Sequence, residues 1–244
     1  MNDINDPSSG SGRFDLSRRL LRGGYIEEIE DLTPTSKRMR LAGPKLTGLN
    51  WQPGDHIRVR IGSLLTLRTY SVWDADPDRG WIDLVLFDHG TPDSIGLQWA
   101  EAARPRQYVV FMRDARAIRL KPDARWHLFA GEETAAAGFG SLLRALPVDV
   151  PVFGVHQAAT EADHIDLPRP LTRIARHGAP AASSEQLVAA VAALDLPDTP
   201  GAAYLAGEAR TIQMIRGHLV NDRGWNRRDI VTKPFWTPGK RGMD

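Results

Sequence analysis

Leu65-Thr66-Leu67-Arg68-Thr69-Tyr70-Ser71-Val72-Trp73 combines leucines, β-branched residues and aromatics, the composition of a β-strand. Side chains alternate along a strand, so Arg68 and Tyr70, two apart, project from one face. That pairing makes a poor core face and a good ligand face. A guanidinium is a forked donor for phosphate oxygens, and a phenol offers a flat apolar plate with a polar tip. The Ser71 backbone and hydroxyl are suited to the edge of a planar ring. A phosphate contact beside a plate for a planar heterocycle points to a flavin nucleotide. The competing reading is an ordinary barrel strand with an exposed Arg and Tyr, because four residues are cheap to match by chance.

The flanking sequence, from Arg13 to about Asp123, reads as short strands divided by turn residues. Gly24 to Glu30 leads into Thr33-Pro34-Thr35, and Lys37 to Leu41 alternates basic with apolar. His56 to Ile61 alternates strictly and places Ile57, Val59 and Ile61 on one face, as in a half-buried antiparallel strand. Gln52-Pro53-Gly54-Asp55 has Pro and Gly where a type II turn needs them. Trp81 to Phe87 is apolar on both faces, which predicts a central strand. Thr91 to Ala103 predicts a helix with Thr91 as N-cap and Pro92 at the first helical position. Its free N–H groups suit a pyrophosphate, although a helix plugging the end of a barrel explains the same residues. Six or so strands with one helix predict a small closed barrel.

At Ala124 the periodicity changes. Apolar runs at Trp126–Ala130, Val150–Val155, Leu171–Ala175, Ala202–Ala206 and Asp229–Trp236 alternate with helical stretches at Thr134–Leu146, Leu187–Leu194 and Ala209–Val220. Ser183-Ser184-Glu185-Gln186 reads as a capping box before the second of these. Strands alternating with helices imply parallel pairing in a doubly wound sheet, with ligands received at the strand-to-helix turns of Gly131 and Gly207. The expected fold is therefore α+β in two domains. A polar N-terminal tail (1–12) precedes an antiparallel Greek-key β-barrel (13–123), and a doubly wound parallel α/β sheet domain (124–244) follows.

Composition narrows the function. Hydrophobic residues make up 42% of the 244 and charged residues 25%, a globular profile, and the net charge of +1 gives no basic excess for phosphate-driven nucleic-acid binding. The sequence has no cysteine, so disulfides, iron–sulfur ligation and thiolate chemistry are excluded. The seven histidines show no paired metal-ligand spacing, and no metal ligand and no catalytic acid or base is assigned. With neither an apolar leader nor a run of roughly 20 apolar residues, a cytoplasmic protein is expected, and without cysteine a redox role has to run through a bound organic cofactor or a histidine-ligated metal.

Five short motifs occur in an order that resembles the siderophore-interacting proteins, a branch of the ferredoxin-reductase-like flavoproteins. They are Arg68-Thr69-Tyr70-Ser71, His89-Gly90 with Trp99-Ala100, Gly131-Glu132-Glu133-Thr134-Ala135, Ala206-Gly207-Glu208-Ala209, and Phe235-Trp236 followed by Gly239. The resemblance implies FAD-dependent reduction of ferric siderophores. Arg68 would bind the FAD pyrophosphate, Tyr70 would lie against the isoalloxazine, and Ser71 would bond its N5 edge, with Thr69 between them. His89, Gly90, Thr91 and Ser94 would contact the nucleotide near the helix start. Gly131, Thr134, Gly207 and Glu208 would receive NAD(P)H, and Trp236 would pack with its edge near the site. Glycine at 131 is equally plain turn chemistry, and Glu132-Glu133 opposes phosphates.

Lys240, Arg241 and Lys233 would hold the anionic chelate, with Lys37, Arg38 and Arg40 as further rim charges and Lys240 as the leading choice. The chain departs from the family pattern at Thr91-Pro92-Asp93, at Arg113-Asp114 and at Ala137. A monomer accepting electrons from NAD(P)H or a ferredoxin is expected. A general NAD(P)H-flavin oxidoreductase with another acceptor, and a non-catalytic binding module, are the alternatives.

Overall fold

The computed structural model describes residues 21–62, 66–88, 94–114, 117–199 and 201–240. Six strands, β1 (Arg22–Thr33), β2 (Ser36–Ala42), β3 (His56–Arg60), β4 (Leu67–Asp76), β5 (Trp81–Phe87) and β6 (Tyr108–Asp114), close into an antiparallel barrel in the order β1-β2-β5-β4-β3-β6. Closure leaves no open edge among them. The alternation in β3 has its expected consequence: Ile57 and Val59 are buried with Leu41, Leu84 and Phe111, while Arg58 and Arg60 are partly exposed. The turn before β3 also forms as its residues require, with Gly54 at φ +80° and the Asp55 N–H donating to the Gln52 carbonyl at 3.0 Å.

One helix, α1 (Ile95–Ala102), packs Ala100 and Trp99 against the barrel core. It starts later than the sequence suggested. Ser94 is its N-cap, accepting the Leu97 N–H with its hydroxyl, because a cap must sit three residues before the donor it serves. Thr91, the expected cap, and Pro92 lie outside the described residues, as does Leu65 at the head of the opening stretch.

The strands β7 (His127–Glu132), β8 (Val152–Ala158), β9 (Thr172–Ala175), β10 (Ala202–Glu208) and β11 (Ile230–Trp236) form a parallel sheet in the order β11-β10-β7-β8-β9. The chain runs outward from β7 to β9 and then resumes on the other side of β7. Strand order thus reverses between β7 and β10, where open α/β sheets bind ligands. Three helices, α2 (Ala136–Ala145), α3 (Glu185–Ala192) and α4 (Ala209–Asn221), cover the faces. Leu187, Ile212 and Leu219 of α3 and α4 pack with Leu128, Ala130 and Val155, whereas Phe139 and Leu142 of α2 pack with Phe129 and Tyr204. The cap of α3 is Ser184, not Ser183, whose φ of +54° turns it out of line for capping.

Helix α2 also meets the barrel. A Cβ on Gly140 would stand 2.0 Å from the Trp73 ring, and one on Gly138 would stand 3.4 Å from Ser71 Oγ. Ser141 Oγ accepts the Gly54 N–H at 3.0 Å, and Arg144 donates to the Trp73 carbonyl at 2.8 Å. Val85, Ala136, Ala137 and Ile165 make a small apolar cluster across the same junction. Among the described residues, no helix is long and apolar enough to cross a membrane.

Two helical glycines should therefore respond oppositely to a side chain. Gly140→Val should destabilise by about 1–3 kcal/mol, since overpacking against the indole outweighs any gain in helix propensity. Gly217→Ala in α4, whose nearest neighbour is Asn221 Nδ2 at 4.0 Å, should stabilise by about 0.5–1 kcal/mol. Urea unfolding reads both, and a neutral Gly140→Val would contradict the close approach of α2 to the barrel.

Candidate functional site

A cleft of about 830 Å³ opens between the barrel, α1 and the C-terminal end of the sheet. Arg68, Thr69, Tyr70 and Ser71 of β4 line one wall, Ser94 and Gly96 another, Thr134 and Trp236 a third, and Lys37 and Lys240 its rim. The structure thus brings Arg68 and Tyr70 to one wall, as their spacing requires. Arg68 donates to the carbonyl of Leu67 at 2.8 Å, and among the described residues no carboxylate pairs with it. Its guanidinium retains donors for an anion.

The Tyr70 ring is tilted against Trp99 at 5.6 Å, and a Cβ at Gly96 would meet the phenol oxygen at 3.0 Å. Glycine within α1 lets that helix lie against the Arg68–Tyr70 face, a role not read from the sequence; a glycine inside a short helix is the signal that marks it. Burial pushes the Tyr70 hydroxyl well above its ordinary pKa, so it stays neutral. Ser71, which also lines the cleft, is buried beside Gly138 and pairs across the ladder with His56.

His56 was not singled out by the sequence beyond its strand. It is fully buried, its ring lies 5.8 Å from that of Phe235, and among the described residues neither ring nitrogen has a partner in hydrogen-bonding geometry. Burial first, and the Lys233 charge second, hold its pKa down at about 4. Lys233 itself does not line the cleft; its ammonium faces Asp114 at 3.7 Å with the side chain 16% exposed. Arg38 and Arg40 are drawn to the buried Asp83, at 3.2 and 2.8 Å, and so leave the rim to Lys37 and Lys240. Lys240 is placed by a Thr237-Pro238-Gly239-Lys240 turn, with Gly239 at φ +74° and the Lys240 N–H donating to the Thr237 carbonyl at 3.2 Å.

At the reversal of strand order, Glu132 ends β7 fully buried. It accepts the Trp236 indole N–H at 3.0 Å, the Thr134 N–H at 2.9 Å and the Thr134 hydroxyl. Glu133 forms a two-pronged ion pair with Arg176, both contacts at 2.5 Å. Of the residues expected to receive a nicotinamide nucleotide, Thr134 lines the cleft, whereas Gly131, Gly207 and Glu208 do not. A Cβ at Gly131 would stand 2.3 Å from the Ala206 carbonyl, so glycine there serves the β7–β10 approach. Glu208 caps α4, accepting from the N–H groups of Arg210, Thr211 and Ser183, which hold its pKa low against the cost of burial. His89, Gly90, Thr91 and Arg241 lie outside the described residues. Among the described residues, no group of three or more His, Asp or Glu is placed to hold a metal ion.

Residues 124–239 match the family model of the siderophore-interacting proteins. Over this part of its sequence the chain is similar to the siderophore-interacting proteins. It is 26% identical over 179 residues to the ferric vibriobactin reductase ViuB of Vibrio cholerae, covering 72% of this chain and 64% of that protein. It is 24% identical over 182 residues to the mycobactin import ATP-binding/permease protein IrtA of Mycolicibacterium thermoresistibile, covering 71% of this chain. The chain thus spans less than two thirds of ViuB and only 19% of IrtA. In three dimensions it resembles a siderophore utilization protein from T. fusca, with a TM-score of 0.82 at 22% identity over 92% of this chain and 95% of that one. It also resembles the FAD/NAD-binding domain of the nitric oxide dioxygenase of Vibrio cholerae, with a TM-score of 0.71 at 15% identity over 89% and 99% of the two chains. The fold is the ferredoxin-reductase-like pairing of barrel and parallel sheet that its sequence implies.

The buried His56 gives the fold an acid-sensitive element. Its folded pKa of about 4 lies below the unfolded value of about 6.5, so the unfolded chain binds the extra proton. Stability supplied by neutral His56 is present above about pH 6.5 and is lost as pH falls toward 4. Urea unfolding across pH 4–7 should show a slope shallower by one proton in His56→Phe than in the wild type. Identical slopes would contradict this assignment.

Proposed function

We propose that the cleft binds FAD and that the protein reduces the iron(III) of a bound siderophore, with electrons drawn from NAD(P)H or a ferredoxin. The observation that carries this reading is the Arg68–Tyr70 wall, which sets a guanidinium with no carboxylate partner among the described residues beside a neutral phenol ring in a cleft of about 830 Å³. A forked cation next to an aromatic plate matches a group that is phosphate at one end and planar ring at the other. The Ser94-capped start of α1 lies on the same cleft and adds backbone donors. In this reading the barrel part, residues 13–123, holds the flavin, and residues 124–244 present the donor. The similarity to ViuB, named for ferric vibriobactin reduction, supports the choice of substrate class.

A bound flavin accepts two electrons together and releases them singly, which matches one-electron reduction of iron. The chain's own part is to bind and to orient. Arg68 would neutralise the phosphates, Tyr70 and Trp236 would bound the ring, and Lys37 and Lys240 would draw an anionic chelate to the rim. The chelate is substrate, and iron(II), bound less tightly by hard oxygen ligands, leaves it after reduction. No side chain is needed as acid, base or iron ligand for an outer-sphere transfer.

Protein purified from cells should carry FAD, and Arg68→Ala should weaken its binding by about 1.5–3 kcal/mol, the value of a charge-assisted phosphate contact. Titration of the flavin-free protein measures this, and unchanged affinity rejects the assignment. Turnover of ferric chelates, set against other acceptors, tests the substrate class.

Lys240→Ala should raise KM for an anionic ferric siderophore and leave kcat nearly unchanged, since a contact equal in ground and transition states affects binding alone. Stopped-flow oxidation of the prereduced protein by saturating chelate is the check. A large fall in the limiting rate would place Lys240 in the transfer step and end the positioning model.

A further inference from the structure

Glu132 is a buried carboxylate that neither cofactor binding nor iron reduction calls for. It stands where β7, β10 and β11 end together, and it meets two groups of the cleft wall, Thr134 and Trp236, from behind. Its Oε1 accepts the Trp236 indole N–H at 3.0 Å and the Thr134 hydroxyl, and its Oε2 accepts the Thr134 backbone N–H at 2.9 Å. Gly207 makes room for it, at φ +117°, where a Cβ would stand 2.6 Å from Oε1. Three donors therefore converge on one carboxylate, which suits its ionised form.

We propose that Glu132 is a positioning residue that pins the Trp236 indole to the cleft wall, and that its protonation releases the indole. The donor set decides where an added proton goes. The Thr134 N–H is fixed by the backbone and cannot become an acceptor, so Oε2 must stay unprotonated and the proton must sit on Oε1. The Thr134 hydroxyl can rotate to accept from this new O–H. An indole N–H is a donor only, so on protonation Trp236 loses its anionic acceptor at Oε1. Release thus falls on the cleft-lining ring and not on the turn.

The surroundings set the range in which this happens. Burial, and next the charge of Glu133, push Glu132 up to about 7, against the pull of its three hydrogen bonds. The facing groups are few. Arg176, from beyond β9, is engaged by Glu133; Asp163 is held by Thr160 and by Thr35 of the barrel; Glu208, at the end of β10, is turned into α4; and Lys233 on β11 faces Asp114. The clamp is read without any ligand, although its consequence for a flavin rests on the function proposed above.

The test labels the protein with 5-fluorotryptophan and assigns the Trp236 fluorine signal as the one lost in Trp236→Phe. In ligand-free wild type this signal should shift with a midpoint near pH 7, and in Glu132→Gln, which cannot ionise, it should stay fixed from pH 5.5 to 8.5. A wild-type signal that does not move with pH overturns the proposal without recourse to any variant, as does a signal that still titrates in folded Glu132→Gln. The fluorine signals of the other six tryptophans report whether that variant is folded. Added FAD separates the two readings: a Trp236 signal that titrates but is untouched by FAD upholds the clamp and counts against the flavin cleft.

Discussion

The approach of α2 to β4 is the constraint on which the rest of the structure depends. The helix can lie on the strand only because Gly138 and Gly140 carry no side chain there, the second leaving space that the Trp73 ring fills. Residues of one strand thereby serve both halves of the chain. Arg68 and Tyr70 form a cleft wall, while Ser71 and Trp73 are held against the helix that follows the first sheet strand. The same contact brings the end of β7, with Glu132 and Thr134, opposite the barrel wall. Close packing of this kind tolerates little displacement, because interiors are packed at crystal-like density.

Charge is distributed in keeping with that geometry. Asp55 sits between Arg113 and Arg119 and joins the turn before β3 to the segment that leaves the barrel. Its two arginines and the Gln52 N–H lower its pKa against the cost of burial. Asp83 likewise forms ion pairs with Arg38 and Arg40, and Glu133 with Arg176. Buried ions paired in this way are costly to break one at a time. Arg68 is the contrast, a cation on a cleft wall that donates to the Leu67 carbonyl and has no carboxylate partner among the described residues. That difference marks it as a binding group more than its position in the sequence does.

Much of the fold was legible because hydrophobic periodicity and turn chemistry act locally. The alternation of β3, the Pro-Gly turn before it and the five apolar runs after Ala124 each appear as strands or turns in the expected place. Helix starts were less legible. Ser183 and Ser184 are equally good caps by composition, and Ser184 takes the role while Ser183 sits at φ +54°. The site was legible where one strand supplies it, as with Arg68 and Tyr70. It was not where distant segments meet: that Gly131 spaces two strands, that Glu208 closes its own helix, that Lys233 faces Asp114, and that Glu132 holds Trp236 across 104 residues all depend on sheet order. A pattern of adjacent residues contains none of that information.

The central claim is that the wall made by Arg68 and Tyr70 is a flavin site. A crystal structure of the protein grown with FAD tests it most directly. The account predicts the ring system in the cleft between β4 and the Trp236 wall, with the phosphates on the Arg68 guanidinium. Flavin bound elsewhere on the molecule, or a cleft that stays empty at saturating FAD while the protein remains folded, would contradict it.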